Sequence, residues 1–545
     1  MYFVKSLKYT ILVWMSCFII GCTQSENTQI SNDGDISFEN SGVAAAQSAF
    51  LVGVKALHNF QFDDARIAFE EAEKIDPSFV MAFWGQAMSN NMPLWQRQNT
   101  SEAKQILERL ASTKEGRISR AQSDKEKAFI SAVDALFFSS DDKLKRDLAY
   151  SGIMARMHDQ WPEDHEISIF YALSLLGTMR PGDDGFKKQA LAASIAMSVM
   201  DENKTHPGAA HFTIHSLDDP EHAILALAAA KVYADIAPSS AHALHMPSHI
   251  FLQLGMWERV VNSNIESYAS AVSHTKKLIE SGAKNIGTSM VGGEDFHSLS
   301  WLAYANLMLG HYDRAKENLV MAKTAMEANP NNMRAQNGYY TMLARHAIES
   351  ADCSDVQLGD ADSGMGKNAA LVAAAGMCAV SNKNIDLARA AVNRLNAMRL
   401  QSEEAGKTYN AMQIQIIELE VGALVAAASQ QFDQAITLAE QAKVLELENM
   451  SAPSGPPVPM KPAAELYAEI LAAAGNHEAA INAYKDSLDW VPNRTPSIVG
   501  LSIVAAKNGD AALAEEMRTK LQATPGININ KFVYSQNDSQ SDNAG

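Results

Sequence analysis

One pattern of punctuation recurs along this chain and narrows what it can fold into. Residues Ala56–Pro77 (ALHNFQFDDARIAFEEAEKIDP) carry an aromatic before a second helix, small residues at Ala65 and Ala68, and a stop at Asp76-Pro77. Related runs occur at Leu252–Val272, Leu307–Ala325, Val421–Leu447 and Tyr467–Val491, the last with Gly475-Asn476-His477 as its turn. Each reads helix, tight turn, helix, with small side chains where two helices approach closely. A unit of this kind cannot bury its apolar face alone, so copies must stack and share a continuous core. No period-2 alternation persists to indicate strands. The mature chain, at about 520 residues, also exceeds one ordinary core.

The unit resembles the tetratricopeptide repeat. The resemblance implies an all-α fold, an α-solenoid wound as a right-handed superhelix, with the first helix of each pair on the concave side. Residues 351–366 (ADCSDVQLGDADSGMG) are polar and Gly/Asp-rich, and Ser451–Pro462 holds five prolines. The expected plan is therefore a solenoid half at 43–350, a linker at 351–366 and a second half at 367–525. A polar tail, 526–545, is expected to be disordered.

The N-terminus reads as an export signal. Lys5 and Lys8 precede an apolar run from Tyr9 to Ile20, and residues 1–22 contain no acid. The run is short for a spanning helix. It ends Ile19-Ile20-Gly21-Cys22, which resembles the lipobox of bacterial lipoproteins. That resemblance implies cleavage before Cys22 and acylation of its thiol; the alternative is an ordinary signal whose small-residue site contains a cysteine. Thr23 follows rather than aspartate, which points to an outer-membrane destination. Residues 23–42 are polar and read as a flexible tether. Losing Lys5 and Lys8 leaves 43 basic against 63 acidic residues, a net of −20. An acidic surface of this kind argues against nucleic acid and against electrostatic docking to anionic lipid. Cys353 and Cys378 remain after maturation; in an oxidising compartment they pair, or they are two small apolar residues on neighbouring helices. No CxxC is present.

Seven of the fifteen histidines fall between His206 and His249: His206, His211, His215, His222, His242, His245 and His249. Thr205-His206-Pro207 starts a helix through Leu217, Asp218-Asp219-Pro220 starts a second to about Ile236, and Ser239-Ser240 opens a third past Phe251. His211/His215 and His245/His249 are each i,i+4 pairs, which aligns both rings on one helix face. The pairs are 34 residues apart, the usual repeat period. Four imidazoles from adjacent first helices make a plausible site for Zn, Fe, Ni or Cu. His242, one turn before His245, is a further candidate. Aligning Leu254-Gly255-Met256-Trp257 with Leu309-Gly310-His311-Tyr312 puts His297 in the place of His242, a shift of 55. His206 and Tyr171 are possible additions, Tyr171 on a register that brings it near His211. Pro247 either kinks the third helix or starts it. The competing interpretations are a hydrogen-bond network without metal and plain structural histidines; His222 belongs to a second helix and faces elsewhere.

The runs HPGAAHFTIHSLDDPEHA (206–223), HMPSHIFLQLGMW (245–257), PEDHEISIFYALSLLG (162–177) and GPPVPMKPAAELYAEIL (455–471) resemble a family of bacterial tetratricopeptide-repeat proteins across nearly the whole mature chain. The resemblance implies the solenoid and no settled activity. Its members often carry a His before the Pro of Asn90-Asn91-Met92-Pro93-Leu94-Trp95; here Met92 stands there. Three functions remain open: a binding or scaffolding lipoprotein for a protein or peptide partner or a metal, a metal-dependent hydrolase or oxygen-using enzyme, and a structural envelope component. The enzyme needs a general base, for which Glu166, Glu294 and Asp295 are available. HExxH, GxSxG, the P-loop and GxGxxG are absent.

Overall fold

The computed structural model describes residues 33–180, 183, 185–280, 290–291 and 294–532. Residues 1–22 with Cys22, positions 23–32 of the expected tether and 533–545 of the tail lie outside them. The described residues belong to one compact unit. Among the described residues the regular structure is helical apart from two minimal hairpins, which pair Asn91–Met92 with Arg97–Gln98 and Met290–Val291 with Glu294–Asp295. The all-α, tetratricopeptide-like solenoid is the fold observed. Each helix packs on the next, and next-but-one helices such as Ala369–Ser381 and Thr408–Ala428 also touch.

The turns explain the repeat. After a first helix the chain takes one residue of left-handed backbone and then enters the second helix: Phe60, Gly255, Gly310, Lys383, Gln430, Gly475 and Gly509 all have φ between 55° and 86°. At Gly255 only glycine serves, because a Cβ would also lie 2.7 Å from the Cβ of Asn493. Between helices, small residues set the spacing. A Cβ on Gly85 would stand 2.4 Å from the Phe69 ring, so that ring lies against bare backbone. Ala65, the repeat alanine of the second helix, is fully buried.

Two helices differ from expectation. The helix expected from Pro220 begins only at Leu227, after a 3₁₀ turn at Ala223–Ala226. Asp219 explains this: its carboxylate accepts from the backbone of Glu221 and His222 and from His222 Nδ1, which stabilises a turn instead of a helix start. The third helix breaks into Ala241–His245 and Pro247–Gln253, because Pro247 has no N–H to continue the ladder.

Residues 33–42, placed in the tether on composition, lie against the solenoid. Asp35 N donates to Thr205 O, Ser41 N and Oγ donate to Glu126, and Ser239 Oγ donates to Asp33. Phe38 inserts among Phe50, Trp84 and Phe129, with ring centroids 5.2, 5.4 and 5.1 Å away. One aromatic in a polar decapeptide is enough to fix it when a pocket of rings is waiting.

The C-terminal helices return to the middle of the chain. Asn493 donates to Gln253 O, Thr495 Oγ1 to Met308 O and Asn528 N to Leu309 O. Arg494, 1 % exposed, makes paired bonds to both Glu349 and Glu465. The proline segment runs alongside, with Pro453 O accepting from Gln253 and Pro457 O from Arg345. Residues 351–366 hold no helix. Cys353 and Cys378 are joined as a disulfide, Cα–Cα 5.8 Å, which ties that stretch to the next helix.

Replacing Phe38 by Ala should cost about 3 kcal/mol through lost burial and the cavity left behind. Differential scanning calorimetry is expected to show a lowered transition; an unchanged profile would mean that residues 33–42 are not part of the folded core.

Candidate metal centre

Three neighbouring first helices bring six histidines together in two groups of three. His211 and His215 project from Pro207–Ser216 and are joined by His242 from the start of Ala241–His245. His245 and His249 are joined in the same way by His297, from Phe296–Met308. Within each group the ligand atoms lie within 4.8 Å of one another. His211 Nε2 and His242 Nε2 are 3.0 Å apart; His245 Nε2 is 3.1 Å from His249 Nε2 and 2.9 Å from His297 Nε2. The four histidines expected to share one site are therefore divided, because the 34-residue repeat copies the site rather than completing it. His242 and His297 supply the third member of each copy.

The outward nitrogens fix the tautomers. His211 Nδ1 donates to the carbonyl of His58 (2.5 Å), and His249 Nδ1 donates to the Asp218 carboxylate (2.6 Å). Asn264 Nδ2 donates to Val260 O, so its Oδ1 faces His245 and accepts from Nδ1 at 2.8 Å. A carbonyl, a carboxylate and an amide oxygen only accept, so each of these Nδ1 atoms carries the hydrogen. In the neutral ring Nε2 is then a bare lone pair, and His245 and His249 aim theirs at each other. His215 Nε2 is buried with no partner at all.

Burial, and after it the neighbouring imidazoles, push His211, His215, His242 and His245 well below the usual histidine range. His297 keeps exposed surface at the rim, yet burial of its ring and the charge of His249 bring it down to about 4. The rings are thus held neutral, the form that binds metal. Aromatic walls back both groups. Phe60 lies 4.4 Å from His211 and 5.4 Å from His242, Tyr233 stacks on His211 at 5.0 Å, and Trp301 lies 4.8 and 4.5 Å from His245 and His249.

The other expected residues go elsewhere. Tyr171 packs on His158 at 5.6 Å and is not placed with His211. His206 accepts from Ala209 N as a helix cap, and its ring joins a fully buried group with His58 and Glu166. Burial works against the Glu166 carboxylate, but His58 at 2.8 Å and His206 outweigh it and bring Glu166 down to about 2. Glu294 accepts from Tyr268, and Asp295 caps its helix. His222 stacks flat on Phe186 at 3.7 Å, away from both groups. The loop of Met92 places Trp95 6.3 Å from His242. His58, Asp218 and Asn264 were not singled out in the sequence. Asp218 alone left a trace, as the acidic start of the segment after His215.

No family model and no curated protein matches this chain. Solved structures similar to it include yeast Tom70, at 12% identity over 87% of this chain and 92% of that one, TM-score 0.32. The Cut9–Hcn1 hetero-tetramer of the APC/C aligns at 13% over 90% and 95%, TM-score 0.30. A human IFIT1 dimer with m7Gppp-AAAA aligns at 13% over 90% and 92%, TM-score 0.30.

The depressed histidines predict how the metal-free protein responds to pH. The unfolded chain takes up protons near pH 6.5, while the folded site does not until the pH is far lower. Stability is therefore full above about pH 6.5 and falls as the pH drops through the interval down to about 4. Glu166 contributes in a separate window, lost only between about 4.5 and 2. Thermal unfolding followed from pH 8 to 4 should show this decline, and a His215→Leu/His242→Leu variant should flatten it. An equal slope in variant and wild type would assign the decline to other groups.

Proposed function

We propose that this protein is a lipid-anchored envelope protein of tetratricopeptide type whose concave face binds a transition metal, Zn, Fe, Ni or Cu, and works as a binding module. The observation that carries it is the convergence of ring nitrogens in two groups of three histidines, with the Nδ1 hydrogens of His211, His245 and His249 fixed outward and the Nε2 lone pairs of His245 and His249 opposed. Opposed lone pairs at about 3 Å repel in neutral rings, and a cation between them removes that repulsion. Outward Nδ1–H bonds to a carbonyl, a carboxylate and an amide are the usual support of ligating histidines. Three protein nitrogens per ion leave an open position, the arrangement in which a metal meets an external ligand. The Asp218 oxygen not bonded to His249 is buried without a partner and is the one carboxylate placed to serve an enzymatic variant of this reading. The envelope assignment rests on the Lys5–Cys22 leader, and a protein or peptide partner would use the remaining groove.

Calorimetric titration of the full chain with Zn²⁺ tests the metal. Single Ala substitutions at His211, His215, His242, His245, His249 or His297 should each weaken binding strongly, and His222→Ala should not. Asp218→Asn should weaken it by about 10–100-fold through loss of orientation. Equal behaviour of His222→Ala and the six would overturn the assignment.

For the anchor, Cys22→Ser should abolish acyl labelling and release the protein from the membrane fraction. Persistence of the label would refute lipidation at Cys22.

A further inference from the structure

The two histidine groups share a wall. The ring centroids of His215 and His249 are 6.2 Å apart, the same separation as His215 and His242 within one group. Helices Pro207–Ser216, Ala241–His245, Pro247–Gln253 and Phe296–Met308 thus present six imidazoles as one continuous patch, with Phe60 at one end and Trp301 at the other. Its open side is toward His297, which is exposed.

The charge of this patch is unusual for the chain that carries it. The protein is acidic overall, at −18. Yet the carboxylate that bonds one of these rings is that of Asp218, on His249 Nδ1. Glu166, on a flanking first helix, is held by His58 and His206, and Asp295, beside His297, caps its own helix. Neutral imidazoles bring no charge, so two divalent ions would place four positive charges against one negative in a poorly solvated site. Binuclear centres assembled for cations alone surround them with carboxylates. A nitrogen-only pair keeps its positive charge for whatever binds next.

We propose that the six histidines form a paired-metal centre that takes two divalent ions and, between them, a small oxyanion of the phosphate or carboxylate class. This rests on the metal reading above and adds the number of ions and the chemistry of the ligand. The oxyanion bridges the open position of each ion and supplies the negative charge that the protein withholds. It enters from the His297 side, where the patch is exposed.

The experiment uses the full chain in detergent, loaded with Zn²⁺ and dialysed, with zinc counted by elemental analysis and inorganic phosphate as the probe. Two zinc ions per chain are expected. His211→Ala/His242→Ala and His245→Ala/His297→Ala should each retain one. Phosphate should bind the two-ion protein about tenfold or more tighter than either one-ion variant. If the double variants fail to fold by circular dichroism, wild type loaded with one and then two equivalents gives the same comparison, with the rise in phosphate affinity confined to the second. No bound zinc would overturn the metal reading itself. A single ion, or two ions with phosphate affinity no greater than at one, would overturn only the paired centre.

Discussion

The structure depends on how closely one helix can approach the next. Phe69 lies on the bare backbone of Gly85, Ala65 and Ala72 are fully buried on its own helix, and similar alanines recur along the array. Close approach removes apolar surface from water at every step, at roughly 25 cal/mol per Å². It also sets neighbouring first helices side by side at fixed height. That second consequence makes a site possible: side chains distant in sequence meet only because each helix pair is stacked in the same way as the last.

The stacking also explains what the sequence revealed and what it hid. Helix pairs were legible because their signals are local: small residues, a left-handed turn residue, an aromatic at the second helix. The i,i+4 pairs His211/His215 and His245/His249 were legible for the same reason. Their partners, His242 and His297, were legible only as additional candidates, because which ring completes which pair depends on the stagger between helices. Alignment by repeat gave equivalent positions 34 and 55 residues apart. The contacts form at 31 and 52, from His211 to His242 and from His245 to His297. Both offsets are shorter by three, close to one helical turn. Neighbouring first helices are thus staggered, so that the ring that meets each pair starts one turn earlier than its repeat counterpart. Phe38 was hidden for a different reason: a single aromatic in a polar stretch has no periodicity, and only the waiting pocket of Phe50, Trp84 and Phe129 gives it a place.

The histidines of this protein answer burial in two ways. His58 and His206 are compensated by a charge, Glu166, and with it form a closed group without solvent exposure. The six of the candidate site are compensated by neutral acceptors on the outer nitrogen at His211 and His245, and by Asp218 at His249. The first solution ties three helices together. The second leaves the Nε2 lone pairs of His245 and His249 opposed and His215 Nε2 without a partner, an expensive arrangement if nothing fills it, because an unpartnered buried polar atom forfeits its hydration. The two are also joined through one residue: the His58 ring binds Glu166, and the His58 carbonyl receives the hydrogen of His211. The residue that holds Glu166 thereby also orients a ring of the candidate site.

That link bears on how binding and folding are connected. A ligand that binds only the folded state adds stability in proportion to RT ln(1 + [L]/Kd). Here the site is assembled from three separate first helices, so the added stability is spread over the units that carry them instead of being confined to one loop. Repeat arrays tend to unfold by units, each held by its neighbours alone. An ion held by Pro207–Ser216 and Ala241–His245, and another by Pro247–Gln253 and its neighbours, would couple consecutive units at the point where Pro247 has interrupted a helix. Met246 keeps αR backbone across the break (φ −54°, ψ −34°), so His242, His245 and His249 stay in helical register, and His249, bonded to Asp218 and 6.2 Å from His215, links the two groups.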